Sequence, residues 1–130
     1  HRSATGWREY QVSKLANMLF TKELARRWAG TGITTAAVHP GVIASDIWRT
    51  TAWPLRKLAM LFMRTPEQGA TASLRCATAP ELEGVTGGYF GEDGLPRACS
   101  PLAEDLAAAT RLWDLCVGWT APFTTRSPSP

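Results

Sequence analysis

The most constraining feature of this sequence is a long amphipathic helix that leads, through two glycines, into a short uncharged strand. Residues 7–29 carry apolar side chains near the 3.6-residue helical period, and Gly30 and Gly32 are typical of a helix C-terminus. Residues 33–38 are β-branched at their start and uncharged, which predicts a strand buried on both faces of a parallel sheet. This order of helix, turn and strand is the second half of a βαβ unit, so the sequence predicts an α/β fold. The apolar stripe comprises Val12, Leu15, Ala16, Leu19, Phe20 and Trp28, and the charged residues Lys22, Glu23, Arg26 and Arg27 are predicted to lie on the surface.

The rest of the chain predicts two more helices and one more strand. The predicted elements are a helix from Thr65-Pro66-Glu67-Gln68 to about Thr78, a strand within 85–90, a helix from Ser100-Pro101 to about Val117, and a disordered tail over 120–130. Residues 54–63 could form a further short amphipathic helix. Two strands do not complete a doubly wound sheet, so the remaining strands are expected to come from missing chain or from a partner.

The composition excludes several classes of protein. The chain has 130 residues, of which 45% are hydrophobic and 19% charged, so neither a disordered chain nor a coiled coil is expected. The net charge of +3 is too small to indicate a nucleic-acid partner. The three cysteines have no CxxC spacing, which indicates neither a metal site nor a disulfide framework. No apolar run approaches the roughly 20 residues of a membrane-spanning helix, and we therefore expect a cytoplasmic protein.

Tyr10 and Lys14 lie four residues apart on the first helix and therefore share one face. A lysine ammonium near a phenol favours the deprotonated phenol, which a tyrosine needs when it accepts or donates a proton near neutral pH. The same spacing is common among ordinary surface neighbours on helices, so the pair alone does not identify a site.

Pro40 and Gly41 stand at the carboxyl end of the predicted strand, where open α/β sheets bind ligands. Proline has no N–H, and glycine allows a flat ligand to approach the backbone. An ordinary strand-ending turn accounts for these two residues equally well when they are considered by themselves.

Together, these motifs resemble those of the short-chain dehydrogenase/reductase family. The resemblance rests on YQVSK at 10–14 and TGITTAAVHPGVIASDI at 31–47, and the runs EYQVSKLANMLFTKELARR and HPGVIASDIWR are similar to its retinol-dehydrogenase-like branch. It covers residues 7 to about 117. It implies that residues 1–119 are the C-terminal catalytic half of the family's domain, with the C-terminal half of a Rossmann-like doubly wound parallel sheet. The N-terminal half of the same domain, which binds the cofactor pyrophosphate, is then expected to be missing.

The resemblance implies an NAD(P)-dependent oxidoreductase that interconverts an alcohol and a carbonyl by hydride transfer. Tyr10 matches the catalytic acid/base of the family, and Lys14 matches the lysine that holds the nicotinamide ribose and supports the proton transfer. NADP is slightly favoured over NAD. In many members the helix that bears the tyrosine also packs across a dimer interface. A homodimer is therefore one possible state of this protein.

The resemblance extends to the end of the strand and to the segment that follows it. Pro40, Gly41 and Val42 match the backbone beside the nicotinamide, and Ser45 stands where the family usually has a threonine against the carboxamide. Residues 47–64 match the variable substrate loop. Its apolar side chains suit a lipophilic alcohol or carbonyl, although they would equally suit a packed core.

The main alternative is a non-catalytic chain, either a truncated product or a packing module. The sequence has no glycine-rich phosphate loop, and Ser3 has the wrong spacing from Tyr10 to match the catalytic serine of the family. We therefore expect the chain by itself to be inactive. A hydrolase is disfavoured, because no GxSxG sequence surrounds Ser45.

Overall fold

The computed structural model of the chain describes residues 6–43 and 63–124. Its elements are α1 (Trp7–Arg27), β1 (Ala36–Val38), α2 (Pro66–Thr78), β2 (Gly88–Phe90) and α3 (Leu106–Thr124), with short 3-10 helices at Pro80–Leu82 and Pro101–Glu104. The two strands pair in parallel, with Ala36 opposite Gly88 and Val38 opposite Phe90. The chain is therefore a mixed α/β structure with a small parallel sheet, and the prediction of parallel pairing is confirmed.

Strand β1 is shorter and more exposed than the sequence predicts. It begins at Ala36 because the N–H of Thr35 donates to the hydroxyl of Thr86, 3.0 Å away, instead of to a strand carbonyl. Half of the Ile33 surface is exposed, Ala36 is exposed, and Val38 is half-buried. In the described part of the chain, where the sheet has two strands, β1 is only partly covered, and its burial on both faces stays a prediction.

Helix α2 begins where its capping residues predict. The N–H of Gln68 donates to the hydroxyl of Thr65 at 3.3 Å, and the N–H of Thr65 donates to the side-chain oxygen of Gln68 at 3.0 Å. This reciprocal pair satisfies two donors that an uncapped helix leaves without partners. The predicted end at Thr78 is also confirmed.

Helix α3 starts later and ends later than predicted. Ser100 caps a 3-10 turn over Pro101–Glu104, and the α-helix begins at Leu106. It continues through Thr124, so the predicted disordered tail is wrong for residues 120–124. The hydroxyl of Thr120 donates to the carbonyl of Cys116 at 2.9 Å, a local bond compatible with continued helix. Residues 125–130, and all but the last of the predicted helix at 54–63, lie outside the described residues.

Helix α1 packs along α3 around a buried carboxylate. Phe20 stacks on Trp113 with ring centroids 5.3 Å apart, and the guanidinium of Arg27 lies 4.7 Å from the centroid of the same indole. Beside them Glu23 is fully buried, although the sequence analysis assigns it to the surface. Arg26 donates to its carboxylate through two nitrogens at 2.6 and 2.8 Å, and Arg27 donates at 2.7 Å. Burial is tolerated because two cations neutralise and hydrogen-bond the charge.

The hydrogen bonds from Arg26 and Arg27 lower the pKa of Glu23 from 4.5 to about 2. We expect Glu23→Gln to lower the free energy of unfolding of the complete protein by about 2 kcal/mol at neutral pH. A carboxylate whose pKa is lowered in the folded state stabilises the fold at pH values above its ordinary pKa. The difference in the free energy of unfolding between the variant and the parent should therefore shrink as the pH falls from 4.5 towards 2. Denaturant titrations at several pH values measure it.

Glu104→Gln is the matched control for this prediction. Glu104 also pairs with a cation, Lys22 at 2.9 Å, but its side chain is 58% exposed. An exposed pair contributes at most about 1 kcal/mol, so this variant should stay close to the parent. Equal losses in the two variants, or a loss at Glu23 that does not vary with pH, would contradict the assignment.

Candidate active site

A cavity of about 710 Å³ lies between the first half of α1 and the carboxyl end of β1. Tyr10 and Lys14 line it from the helix, and Pro40 and Gly41 line it from the end of the strand. The two motifs are about thirty residues apart in the sequence, and the parallel fold brings them to one site. The structure therefore places four of the sequence-predicted site residues together.

Helix α1 presents Tyr10 and Lys14 one turn apart. The ammonium nitrogen of Lys14 is 5.3 Å from the centroid of the Tyr10 ring. Tyr10 also stacks on Trp7 at 5.6 Å, which supports one face of the phenol. With 51% of its surface exposed, Tyr10 is accessible both to the cavity and to solvent. A phenol held in this way beside a cation can exchange a proton with a bound molecule.

The strand end is shaped by the two residues that the sequence singled out. The N–H of His39 donates to the carbonyl of Phe90 at 2.9 Å, which is the last bond of the β1–β2 ladder. Pro40 has no N–H to continue the ladder, and Gly41 has a φ of 84°, which strongly favours glycine. The chain therefore leaves the sheet at the edge of the cavity.

Gly41 lines the cavity, and the space that its missing side chain leaves is occupied by other side chains of the protein. A side chain at Gly41 would collide with a carboxylate oxygen of Glu92 and would lie 3.2 Å from the Cδ of Arg64. That its bare backbone also serves the approach of a ligand stays a prediction. Val42 is 56% exposed and lies outside the cavity lining, and Ser45 lies outside the described residues.

Several cavity residues escaped the sequence analysis. Asn17 and Thr21 lie on the same face of α1 as Lys14, so the helical period could have identified them. Tyr89, Cys99 and Ser100 come from β2 and the chain that follows it. Their position depends on the register that sets Ala37 opposite Tyr89, for which the sequence has no local signal.

Neither a metal cluster nor a membrane span is found in the parts of the chain that the structure describes. Across residues 6–43 and 63–124, no three His, Cys, Asp or Glu side chains are grouped closely enough to hold a metal ion. Over the same ranges, each helix is too short or too polar to cross a bilayer.

Comparison with known proteins identifies relatives across most of the chain. No family model matches the sequence. It is 42% identical over 112 residues to human retinol dehydrogenase 14, which covers 82% of this chain and 33% of the relative. It is 46% identical over 108 residues to human retinol dehydrogenase 12, with 82% and 34% covered. It is 41% identical over 133 residues to human retinol dehydrogenase 13, with 93% and 40% covered. The chain thus spans between a third and two fifths of these relatives and matches their C-terminal part.

The expected cytoplasmic location is wrong in the light of these relatives. Retinol dehydrogenases 11 to 14 are membrane-associated enzymes. The inference failed because it rested on the absence of a spanning segment, and such an absence does not establish where a protein is located.

The resemblance inferred from YQVSK and HPG is confirmed by these matches. Identities of 41–46% over about 82% of the chain indicate common descent and not a chance motif. The chain is therefore homologous to the C-terminal part of the retinol dehydrogenases, which are members of the short-chain dehydrogenase/reductase family.

Proposed function

We propose that this chain forms the acid/base part of an NAD(P)-dependent oxidoreductase that interconverts a lipophilic alcohol and its carbonyl. The observation that carries the proposal is the cavity of about 710 Å³ shared by Tyr10, Lys14, Pro40 and Gly41. Its volume is within the range of small-molecule sites. Relatives named retinol dehydrogenases support a long apolar alcohol such as retinol as the substrate class.

The residues around the cavity fit a nicotinamide nucleotide. The ammonium of Lys14 offers up to three donors for ribose hydroxyls, and Pro40 and Gly41 line the same cavity, where the ring would lie beside them. The family resemblance alone adds Val42 and Ser45 as proposed nucleotide-binding residues. When bound, the nucleotide supplies the redox-active ring. We propose that the protein prefers NADP to NAD as its cofactor.

The proton is handled by the chain's own residues. In the direction of oxidation the deprotonated phenol oxygen of Tyr10 accepts the proton of the substrate hydroxyl, and in reduction the protonated hydroxyl of Tyr10 donates its proton to the carbonyl oxygen. The ammonium of Lys14 stabilises negative charge on the phenol during this transfer. Because Tyr10 is half-exposed, it can return the proton to solvent after each turnover.

A non-catalytic packing module is the alternative considered from the sequence, and the relatives do not favour it. A packing module has no requirement for a phenol, an ammonium and a bare strand end around one cavity. We therefore retain the oxidoreductase as the proposed function.

Turnover by the complete protein tests this function. We expect the protein to oxidise retinol in the presence of NADP, with a lower KM for NADP than for NAD, followed through the fluorescence of the reduced nucleotide. Ethanol is the matched control, because it has the same hydroxyl without the apolar body and should react poorly. Absence of turnover with retinol and retinal, with either nucleotide, would refute the proposal.

A further inference from the structure

Two charged residues from distant parts of the chain meet against the backbone of Gly41. Arg64 lies just before α2, and Glu92 follows β2. The Nη1 of Arg64 donates to the backbone carbonyl of Glu92 at 3.0 Å, and its Nε lies 3.4 Å from the Glu92 carboxylate. Neither residue lines the cavity, so neither is in place to contact a bound substrate.

The same two residues touch the strand end from two directions. The backbone N–H of Arg64 donates to the carbonyl of Val42 at 3.0 Å, and Arg64 forms a parallel bridge with Ile43. The Glu92 carboxylate occupies the space where Gly41 would otherwise carry a side chain. Both Gly41 and Val42 are therefore in contact with the Arg64–Glu92 pair.

This contact matters because the β1 ladder has already ended. Its last bond runs from the N–H of His39, and Pro40 has no N–H with which to continue it. Gly41 is the residue with the greatest backbone freedom, and its φ of 84° is one of several values that glycine adopts readily. The strand end therefore needs other contacts to keep a single conformation.

We propose that Arg64 and Glu92 are positioning residues, which hold the Gly41–Val42 backbone in the conformation that receives the nucleotide. This inference rests on the proposed function. The ion pair has side-chain exposures of 37% and 49%, and such pairs contribute little to global stability. Its loss should therefore free the strand end locally while the fold as a whole stays intact.

Arg64→Met in the complete protein tests the positioning role. We expect the KM and the dissociation constant for NADP to rise about tenfold, with the KM for the alcohol and the melting temperature unchanged. Arg64→Lys keeps the charge and should recover part of the affinity. Arg97→Met is the matched control. Arg97 pairs with Asp93 at 2.6 Å in the turn that also contains Glu92, but it is not among the atoms nearest to Gly41. The Arg97→Met protein should therefore bind NADP as the parent does.

Hydrogen exchange in the nucleotide-free protein provides a readout that needs no activity. Peptides that cover 39–43 should exchange faster in Arg64→Met and in Glu92→Gln, while peptides from α1 keep the parent rate. Unchanged exchange at 39–43 in both variants overturns the proposal, and so does faster exchange with unaltered NADP affinity. If the parent protein binds no nucleotide, that result counts against the proposed function. The hydrogen-exchange rates at 39–43 still decide whether the Arg64–Glu92 pair orders the strand end.

Discussion

Tyr10→Phe in the complete protein is expected to lower kcat by about 10²–10⁴-fold while folding and nucleotide affinity stay close to the parent. The substitution removes the one hydroxyl proposed to carry the proton. It leaves the ring that stacks on Trp7 and lies beside Lys14, so the local packing is preserved. Because the side chain is half-exposed, no buried polar partner loses its hydrogen bond.

Steady-state kinetics with saturating NADP measures this loss, and Tyr89→Phe is the matched control. Tyr89 is the only other tyrosine of the chain and lines the same cavity from β2. It has no place in the proposed proton transfer, so its variant should retain most of the parent kcat. A Tyr10→Phe enzyme within a factor of two of the parent would remove Tyr10 from the mechanism.

Lys14→Met should act on binding and on chemistry at once. The substitution removes the charged donor proposed for the ribose hydroxyls, and hydrogen bonds to charged groups correspond to about 10–100-fold in affinity. It also removes the cation that lies 5.3 Å from the Tyr10 ring, so kcat should fall together with the rise in the KM for NADP. This combination distinguishes Lys14 from Tyr10, whose loss is expected in kcat alone.

The control for the lysine is Lys22→Met. Lys22 lies two turns further along α1 and pairs with Glu104, and neither of these residues lines the cavity. Its variant should have the nucleotide KM of the parent. An unchanged KM in Lys14→Met would show that the Lys14 ammonium is directed to solvent in the working enzyme.

Local signals in the sequence predicted the features that depend on a few adjacent residues. Thr65, Pro66 and Gln68 predict the start of α2 because capping involves only the first turn of a helix. That Tyr10 and the strand end belong to one site was implied by the family resemblance and not by a local pattern.

Features that depend on distant contacts were missed. Glu23 was predicted to lie on the surface, because the sequence does not reveal that the hydroxyl of Thr110 in α3 comes within 3.5 Å of its carboxylate or that two adjacent arginines hydrogen-bond to it. Glu92 gave no signal at all, since its contact with Gly41 depends on the register of β2 and on the turn that follows. Strand β1 is shorter than predicted, because the N–H of Thr35 donates to the hydroxyl of Thr86.

Helix α1 has a further consequence for how this protein tolerates substitutions. Tyr10 stands near one end and the buried Glu23 near the other, and thirteen residues of helix separate them by about 20 Å. Catalysis is proposed at the first end, and the anchorage to α3 is concentrated at the second. Substitutions in the two regions should therefore combine additively, so that heat tolerance and turnover can be altered independently along a single rigid element.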